Sequence, residues 1–105
     1  LEMKRGEIWW ADLPEPIGRR PVVLLSRDEA YNVRNAVTVA EVTTNIRGIS
    51  VEVLLSKEDG LPKSCAVNLD TIVTIRKALL KERISLLRQE KINAVNSAIK
   101  FALAL

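Results

Sequence analysis

The chain of 105 residues has no histidine and only one cysteine, Cys65. Histidine and cysteine are the usual ligands of zinc, and histidine is the commonest general base. A zinc site of ordinary composition and a histidine-dependent nuclease are therefore excluded, and we expect neither a metal nor another cofactor. Cys65 lies in an apolar run and is predicted to be a small core residue. Any acid–base chemistry must come from Asp, Glu, Arg, Lys, Tyr or hydroxyl groups.

Long apolar runs and a strong charge are also missing. The apolar runs stay well below the roughly 18 residues that a membrane span needs, and no segment reads as a signal peptide, so we expect no membrane association and a cytoplasmic location. The formal net charge of +3 permits an anionic partner without requiring one. The length of 105 residues predicts one domain. We take this domain to be residues 3–105, because Leu1-Glu2 ahead of Met3 looks like a cloning remnant.

Apolar and β-branched segments predict a mainly β chain that ends in a helix. The predicted strands are 7–13, 21–26, 36–43, 51–55 and 66–75, and residues 27–35 are expected to be a polar turn region. Two interpretations of the next segment stay open: a helical turn around 76–81 before a short strand at 84–87, or a helix that starts at 78–82. From Gln89 onward the period is helical, with a core-facing set of Ile92, Val95, Ile99, Ala102 and Leu103.

Two pairs of adjacent residues lie near the start of the chain, one of tryptophans and one of arginines. Trp9 and Trp10 are adjacent in a predicted strand, so their side chains point to opposite faces and at least one is predicted to be in the core; the other is left open to stack on a base. Arg19 and Arg20 precede an apolar strand. Two fixed guanidinium groups at the start of a strand suit a phosphate.

The segment Lys4-Arg5-Gly6-Glu7-Ile8-Trp9-Trp10-Ala11-Asp12-Leu13-Pro14, followed by Gly18-Arg19-Arg20-Pro21-Val22-Val23-Leu24-Leu25-Ser26, resembles the opening of the MazF/PemK/Kid toxins. These are small ribonucleases of bacterial toxin–antitoxin pairs. The resemblance continues through 39–46 and 67–75 and covers nearly the whole chain from Met3. It implies a small SH3-like barrel of the CcdB/Kid/MazF type with a C-terminal helix, and a homodimer. It also implies cleavage of single-stranded RNA and a cognate MazE-like antitoxin with an acidic tail.

The same resemblance implies the roles of individual residues. The Arg before Pro21 and the Thr that ends the third strand are the family's catalytic pair, which here are Arg20 and Thr43. Asp70 corresponds to an acidic residue that the Kid branch uses near the scissile group; it is a candidate base, a partner that holds Arg20, or a solvated carboxylate. The residues assigned to substrate binding are Arg19, Glu15, Thr44, Asn68 and Thr71. RNA supplies its own nucleophile, the 2′-hydroxyl, so the protein need only orient it and stabilise the phosphorane.

The chain departs from the family pattern in two places. Asn68, Thr71 and Val73 replace residues that are commonly Arg or Gln in the family, and the connection from Asp12 to Arg19 is shorter than the usual loop. Two other functions therefore stay open. One is a gyrase-binding toxin of the CcdB type, which shares the fold, and the other is a non-catalytic RNA-binding barrel. The preferred prediction is a metal-independent, sequence-selective endoribonuclease.

Overall fold

Six antiparallel strands form one curled sheet, and the predicted mainly β fold is confirmed. The computed structural model describes residues 2–105; Leu1, the first residue of the expected cloning remnant, lies outside the described residues. The strands are β1 (Glu7–Asp12), β2 (Arg19–Leu24), β3 (Ala36–Thr43), β4 (Glu52–Leu55), β5 (Cys65–Arg76) and β6 (Leu80–Leu86). Their order across the sheet is β4-β5-β3-β2-β1-β6.

Two helices and two short turns connect or follow the strands. Helix α1 (Ala30–Val33) lies between β2 and β3, where the sequence indicated only a polar turn region, and α2 (Gln89–Leu103) follows β6. The turn of α1 forms because it buries Ala30 and Tyr31. The Tyr31 hydroxyl donates to the Ser26 carbonyl at 3.0 Å, and burial raises the pKa of Tyr31 to about 12.

Both faces of the sheet carry a buried apolar cluster. The larger cluster lies between one face and α2, and it includes Ile8, Val23, Val42, Val67 and Val95. The smaller cluster lies on the other face and consists of Trp9, Ala11, Leu13, Val22, Leu24, Tyr31, Val37, Val39, Ile75 and Leu80. Strand residues alternate between the two clusters, as the period of two requires.

The single cysteine belongs to the larger cluster. Cys65 is buried there, as predicted, and burial raises the pKa of its thiol. A raised pKa keeps the thiol protonated near neutral pH.

The C-terminal helix is confirmed, with one difference on its inner face. Val95 and Ala98 are the buried residues of α2, and Ile92, Ile99 and Ala102 pack around them. Leu103, which was expected to face the core, is 56% exposed at the last residue of the helix.

The segment after β5 settles the two interpretations that the sequence left open. A 3-10 turn over Lys77–Leu79 leads directly into β6, so the prediction of a helix starting at 78–82 is wrong. Pairing with β1 holds 80–86 extended, with register shifts between Ile8 and Trp9 and between Trp10 and Ala11. This pairing joins segments about 70 residues apart, which local periodicity does not report.

The two tryptophans point to opposite faces, as predicted. Trp9 is 3% exposed in the smaller cluster, and its indole N–H donates to the buried Glu7 carboxylate at 3.0 Å. Arg83 also donates to Glu7, at 2.9 Å, so that this buried charge is compensated. Trp10 lies on the other face, and the Arg19 guanidinium is 4.9 Å from the centre of its ring.

Gly60→Ala is expected to destabilise the fold more than Gly48→Ala. Both glycines have positive φ, 91° and 69°, which costs a side-chain-bearing residue about 1–2 kcal/mol. A Cβ at Gly60 would lie 2.9 Å from Ser85 Cβ, and Ser85 is held in place by its hydrogen bond to the Asp59 carbonyl. That overlap adds about 1 kcal/mol or more.

Urea unfolding of the two glycine variants measures this difference. Gly48 is the matched control, because, apart from Gly48 itself and its two chain neighbours, no described residue comes within 4 Å of a Cβ placed there. Equal losses of unfolding free energy in the two variants would contradict the packing argument.

Candidate active site

A polar pocket of about 160 Å³ lies where β2, β3 and β5 meet at one end of the sheet. It opens on the face of the sheet that carries the smaller apolar cluster. Its lining residues are Arg20, Glu41, Thr43, Asn45, Arg47, Asn68 and Thr71. The charged and hydroxyl side chains among them make this pocket the candidate active site.

Strand alternation directs the first side chains into the pocket. Arg20 shares a face of β2 with Val22, and Val22 pairs with Glu41 of β3. Thr43 follows Glu41 by two residues, so it points to the same side. Three side chains from two neighbouring strands are therefore brought together by the register alone.

A large bulge in β5 completes the floor of the pocket. Ala40 pairs with Ile72 and Val42 with Val67, so residues 68–71 lie opposite the single residue Glu41. Two hydrogen bonds hold this bulge: the Asp70 N–H donates to Asn68 Oδ1 at 2.8 Å, and the Thr71 hydroxyl donates to the Asn68 carbonyl at 2.9 Å. The bulge places Asn68 and Thr71 in the pocket and widens it opposite Glu41.

Two guanidinium groups and two carboxylates dominate the electrostatics. Arg20 Nη1 lies 3.5 Å from Glu41 Oε1, and Arg47 Nε lies 3.7 Å from Glu52 Oε2. Burial alone would raise the pKa of Glu52. The N–H groups of Arg47, Gly48 and Ile49, together with the Arg47 guanidinium, outweigh that effect and hold the pKa below its ordinary value. Glu52 thereby anchors the loop 45–48 at the rim as a carboxylate.

The Thr43 hydroxyl is oriented by the same loop. It accepts a hydrogen bond from the Asn45 N–H at 3.1 Å. Because one lone pair is used in this way, the hydroxyl proton is available to donate to a ligand in the pocket. A forked guanidinium and a hydroxyl donor side by side fit the oxygens of a phosphodiester.

Four of the eight site residues predicted from the sequence lie in this pocket: Arg20, Thr43, Asn68 and Thr71. The other four lie outside it. Arg19 points to the opposite face of β2, pairs with Asp12 at 3.8 Å and Glu82 at 3.6 Å, and covers Trp10. Glu15 is exposed on the turn between β1 and β2.

Thr44 and Asp70 are the remaining two. Thr44 borders a separate apolar cavity of about 120 Å³, which Trp10, Pro21 and Pro62 also line. Asp70 is exposed at the tip of the β5 bulge, beyond the pocket.

The whole chain matches a known family of toxins. Residues 4–103 match the family model described as "PemK-like, MazF-like toxin of type II toxin-antitoxin system". This chain belongs to that family. The family predicted from the opening residues is confirmed, together with the predicted toxin role.

Individual relatives cover the same span. A Mycobacterium tuberculosis protein named "Probable endoribonuclease MazF5" is 42% identical over 99 residues, which is 93% of this chain and 90% of the relative. The solved structure named "Mycobacterium tuberculosis toxin MazF-mt6" is 32% identical, with a TM-score of 0.88 over 94% of this chain and 97% of its own. An endoribonuclease from Mycobacterial species, solved in complex with its cognate antitoxin, is 27% identical, with a TM-score of 0.87 over 98% and 96%.

Three residues of the toxin pocket were missed by the sequence analysis: Glu41, Asn45 and Arg47. A signal for Glu41 was present, because it precedes Thr43 by two residues and therefore shares its face. Asn45 and Arg47 lie in a loop whose path depends on Glu52, and local sequence gives no comparable signal for them.

Residues 2–105 contain neither a cluster of metal-ligating side chains nor a helix that could span a membrane. Within these residues no three Asp, Glu or Cys side chains group closely enough to hold a metal ion. None of the helices in the same range is long and apolar enough to cross a membrane.

Proposed function

We propose that this toxin is a metal-independent, sequence-selective endoribonuclease that cleaves single-stranded RNA, including mRNA. The observation that carries the proposal is the meeting of Arg20 and Thr43 in one pocket, on one face of two neighbouring strands. The relatives named endoribonuclease support the activity, since they match this chain along nearly its whole length.

The proposed reaction uses the 2′-hydroxyl of RNA as the nucleophile. Arg20 binds two oxygens of the scissile phosphate through its forked N–H groups and balances the charge that develops on the phosphorane. The Thr43 hydroxyl donates to a further oxygen. The 2′-oxygen bonds to phosphorus and the 5′-oxygen leaves, so the products carry a 2′,3′-cyclic phosphate and a 5′-hydroxyl.

Substrate binding is divided between the pocket and its surroundings. Asn68 and Thr71 face the phosphate from the β5 bulge and offer hydrogen bonds to the ribose or base. Arg19 and Thr44 flank the apolar cavity beside Trp10, where they would contact the strand beyond the cut. The roles proposed for Glu15 in substrate binding and for Asp70 in catalysis require that the bound RNA extends past the pocket to these exposed carboxylates.

Control by a cognate antitoxin is part of the proposal. An acidic antitoxin tail would place carboxylates on the guanidinium groups of the pocket and compete with RNA. Arg20 and Arg47 already form ion pairs with carboxylates of their own chain, Glu41 and Glu52, which supports this mode of binding.

Family membership also supports a proposal for the assembly and the place of action. We propose that residues 3–105 act as one toxin domain in a homodimer in the cytoplasm. Leu54 of β4 and Phe101 of α2 are 56% and 65% exposed, and association of two copies would remove such apolar surface from water.

Incubation of the purified protein with a long single-stranded RNA in excess EDTA tests the function. We expect discrete fragments, and a cleavage rate equal to the rate without EDTA, because the proposed chemistry uses only side chains and the RNA hydroxyl. The Arg20→Ala variant, purified in the same way and expected to cleave at least roughly a hundredfold more slowly, controls for contaminating nucleases. Intact RNA retained by the protein would favour the non-catalytic RNA binder, and neither cleavage nor retention would favour the gyrase-binding alternative.

A further inference from the structure

The pocket contains a carboxylate that neither the family resemblance nor the sequence analysis assigned. We infer that Glu41 is a catalytic residue of the proposed ribonuclease reaction, the general base that takes the proton of the attacking 2′-hydroxyl. This inference rests on the proposed function and adds to it the identity of the base.

The position of Glu41 is the first support. It lies on β3 between Arg20 of β2 and the β5 bulge, and it shares the pocket face with Thr43. Its side chain is 16% exposed, and its Oε1 atom lies 3.5 Å from Arg20 Nη1. A phosphate held by Arg20 therefore brings the neighbouring ribose to within reach of the Glu41 carboxylate. That contact is what general-base catalysis requires.

The second oxygen of this carboxylate is available. Among residues 2–105, the hydrogen-bond and ion-pair partner of Glu41 is Arg20, which contacts the Oε1 atom of Glu41. Oε2 remains for a substrate hydroxyl. The widened bulge opposite Glu41 leaves room for that hydroxyl to approach.

The other candidate carboxylates are less suited to this role. Glu52 is fully engaged by backbone N–H groups and Arg47, and its lowered pKa makes it a weak base. Asp70 and Glu15 are exposed outside the pocket. The chain has no histidine, and Glu41 is the carboxylate among the residues that line the pocket.

The groups that face Glu41 in the pocket come from β2, from the loop after β3 and from the β5 bulge. Arg20 faces it from β2, and Arg47 faces it from the loop after β3. The β5 bulge presents the uncharged Asn68 and Thr71, with the exposed Asp70 at its tip. The ionised carboxylate is the form that a general base needs.

The chemical step balances without another reactant. The 2′-O–H proton moves to Glu41 Oε2 as the 2′-oxygen–phosphorus bond forms and the phosphorus–5′-oxygen bond breaks. The leaving 5′-oxygen takes a proton from solvent water. Glu41 returns its proton to solvent after the products leave.

Single-turnover cleavage of an RNA oligonucleotide by the wild type and Glu41→Gln, measured from pH 4 to pH 9, tests the inference. The wild-type rate should rise with pH over the acidic range and then level off, because only the ionised carboxylate accepts the proton. Glu41→Gln should lose that acidic limb, and its rate at neutral pH should fall by about 10²-fold or more. Binding of an uncleavable RNA with a 2′-deoxy group at the cut should be unchanged or tighter, since a negative charge has been removed.

Two further variants separate a base from a merely structural group. Glu41→Ala should regain part of its rate in added formate, which replaces the missing carboxylate, and this arm decides the matter if Glu41→Gln does not fold. Glu29→Gln, the same substitution at the exposed residue just before α1, should behave as the wild type.

Other outcomes would count against Glu41. An acidic limb that persists in Glu41→Gln, or that disappears in Asp70→Asn instead, would overturn the assignment while leaving the ribonuclease function intact. Failure of formate to restore activity to a folded Glu41→Ala variant would also contradict the assignment of Glu41 as the general base. No cleavage by the wild type in EDTA would overturn the proposed function, and this inference with it.

Discussion

Arg20→Ala is expected to lower the rate of RNA cleavage by roughly a hundredfold or more while the protein stays folded. In the proposed reaction the guanidinium supplies the charged donors to the phosphorane, and the loss of one such donor costs about 3 kcal/mol of transition-state stabilisation. Arg20 is 35% exposed and belongs to neither apolar cluster, so its truncation leaves the core unchanged. Thr43→Val, which keeps the shape of the strand residue and removes only the hydroxyl, should also reduce the rate strongly.

Single-turnover cleavage measures the rate of each variant, and urea unfolding shows whether the variant is folded. Arg27→Ala is the matched control, because Arg27 is exposed just after β2 and lies away from the pocket. Arg20→Lys keeps the charge but loses the fork, and it should fall between Arg20→Ala and the wild type. Cleavage near the wild-type rate by a folded Arg20→Ala protein would remove Arg20 from the catalytic assignment.

The sheet was predictable from sequence because its strands carry their own signal. β3 is a run of β-branched and small residues, and β1 alternates in a way that sends Trp9 and Trp10 to opposite faces. α2 was predictable because its buried residues recur with a helical period over 15 residues. Each of these elements carries enough residues of one pattern for the period to be read without knowledge of its neighbours.

Elements fixed by distant partners were the ones that sequence analysis placed poorly. The segment that begins at Leu80 is extended because it pairs with β1, although its composition also suits a helix. The start of β2 was placed two residues too late. Arg19 and Arg20 pair with Asp12 and Ala11, and this pairing extends the strand beyond its apolar part. Tertiary pairing overrides local propensity in both cases.

In the candidate site, too, some residues were predictable from local sequence and others depend on the pairing of distant strands. Arg20 and Thr43 were identified by their neighbours in sequence, and the register of β2 and β3 brings both into one pocket. The adjacent arginines looked like a single phosphate site, but strand alternation sends Arg19 to the other face. The β5 bulge, which separates Asn68 and Thr71 from Asp70, depends on how many residues of β5 lie opposite Glu41. Single-strand patterns do not report that number.

Replacing the 2′-hydroxyl of the nucleotide before the cut by hydrogen is expected to abolish cleavage at that bond, a loss of at least about 10³-fold. An intramolecular nucleophile of this kind has an effective molarity of about 10⁵ M or more, and a water molecule in its place would need its own positioning groups. In the proposed reaction the pocket residues Arg20 and Thr43 donate to the phosphate, and Glu41 takes the proton of the hydroxyl.

The substitution is made in a short RNA whose cut site has first been mapped with the all-ribose strand. A strand with the 2′-deoxy group one nucleotide after the cut is the matched control and should be cleaved normally, because that hydroxyl takes no part in bond formation. The fragment ends give a second readout: the downstream product should accept phosphate from a polynucleotide kinase directly, since it begins with a 5′-hydroxyl. Efficient cutting of the first deoxy strand, or a 5′-phosphate on the downstream product, would show that water is the nucleophile and that the roles of Arg20, Thr43 and Glu41 must be reassigned.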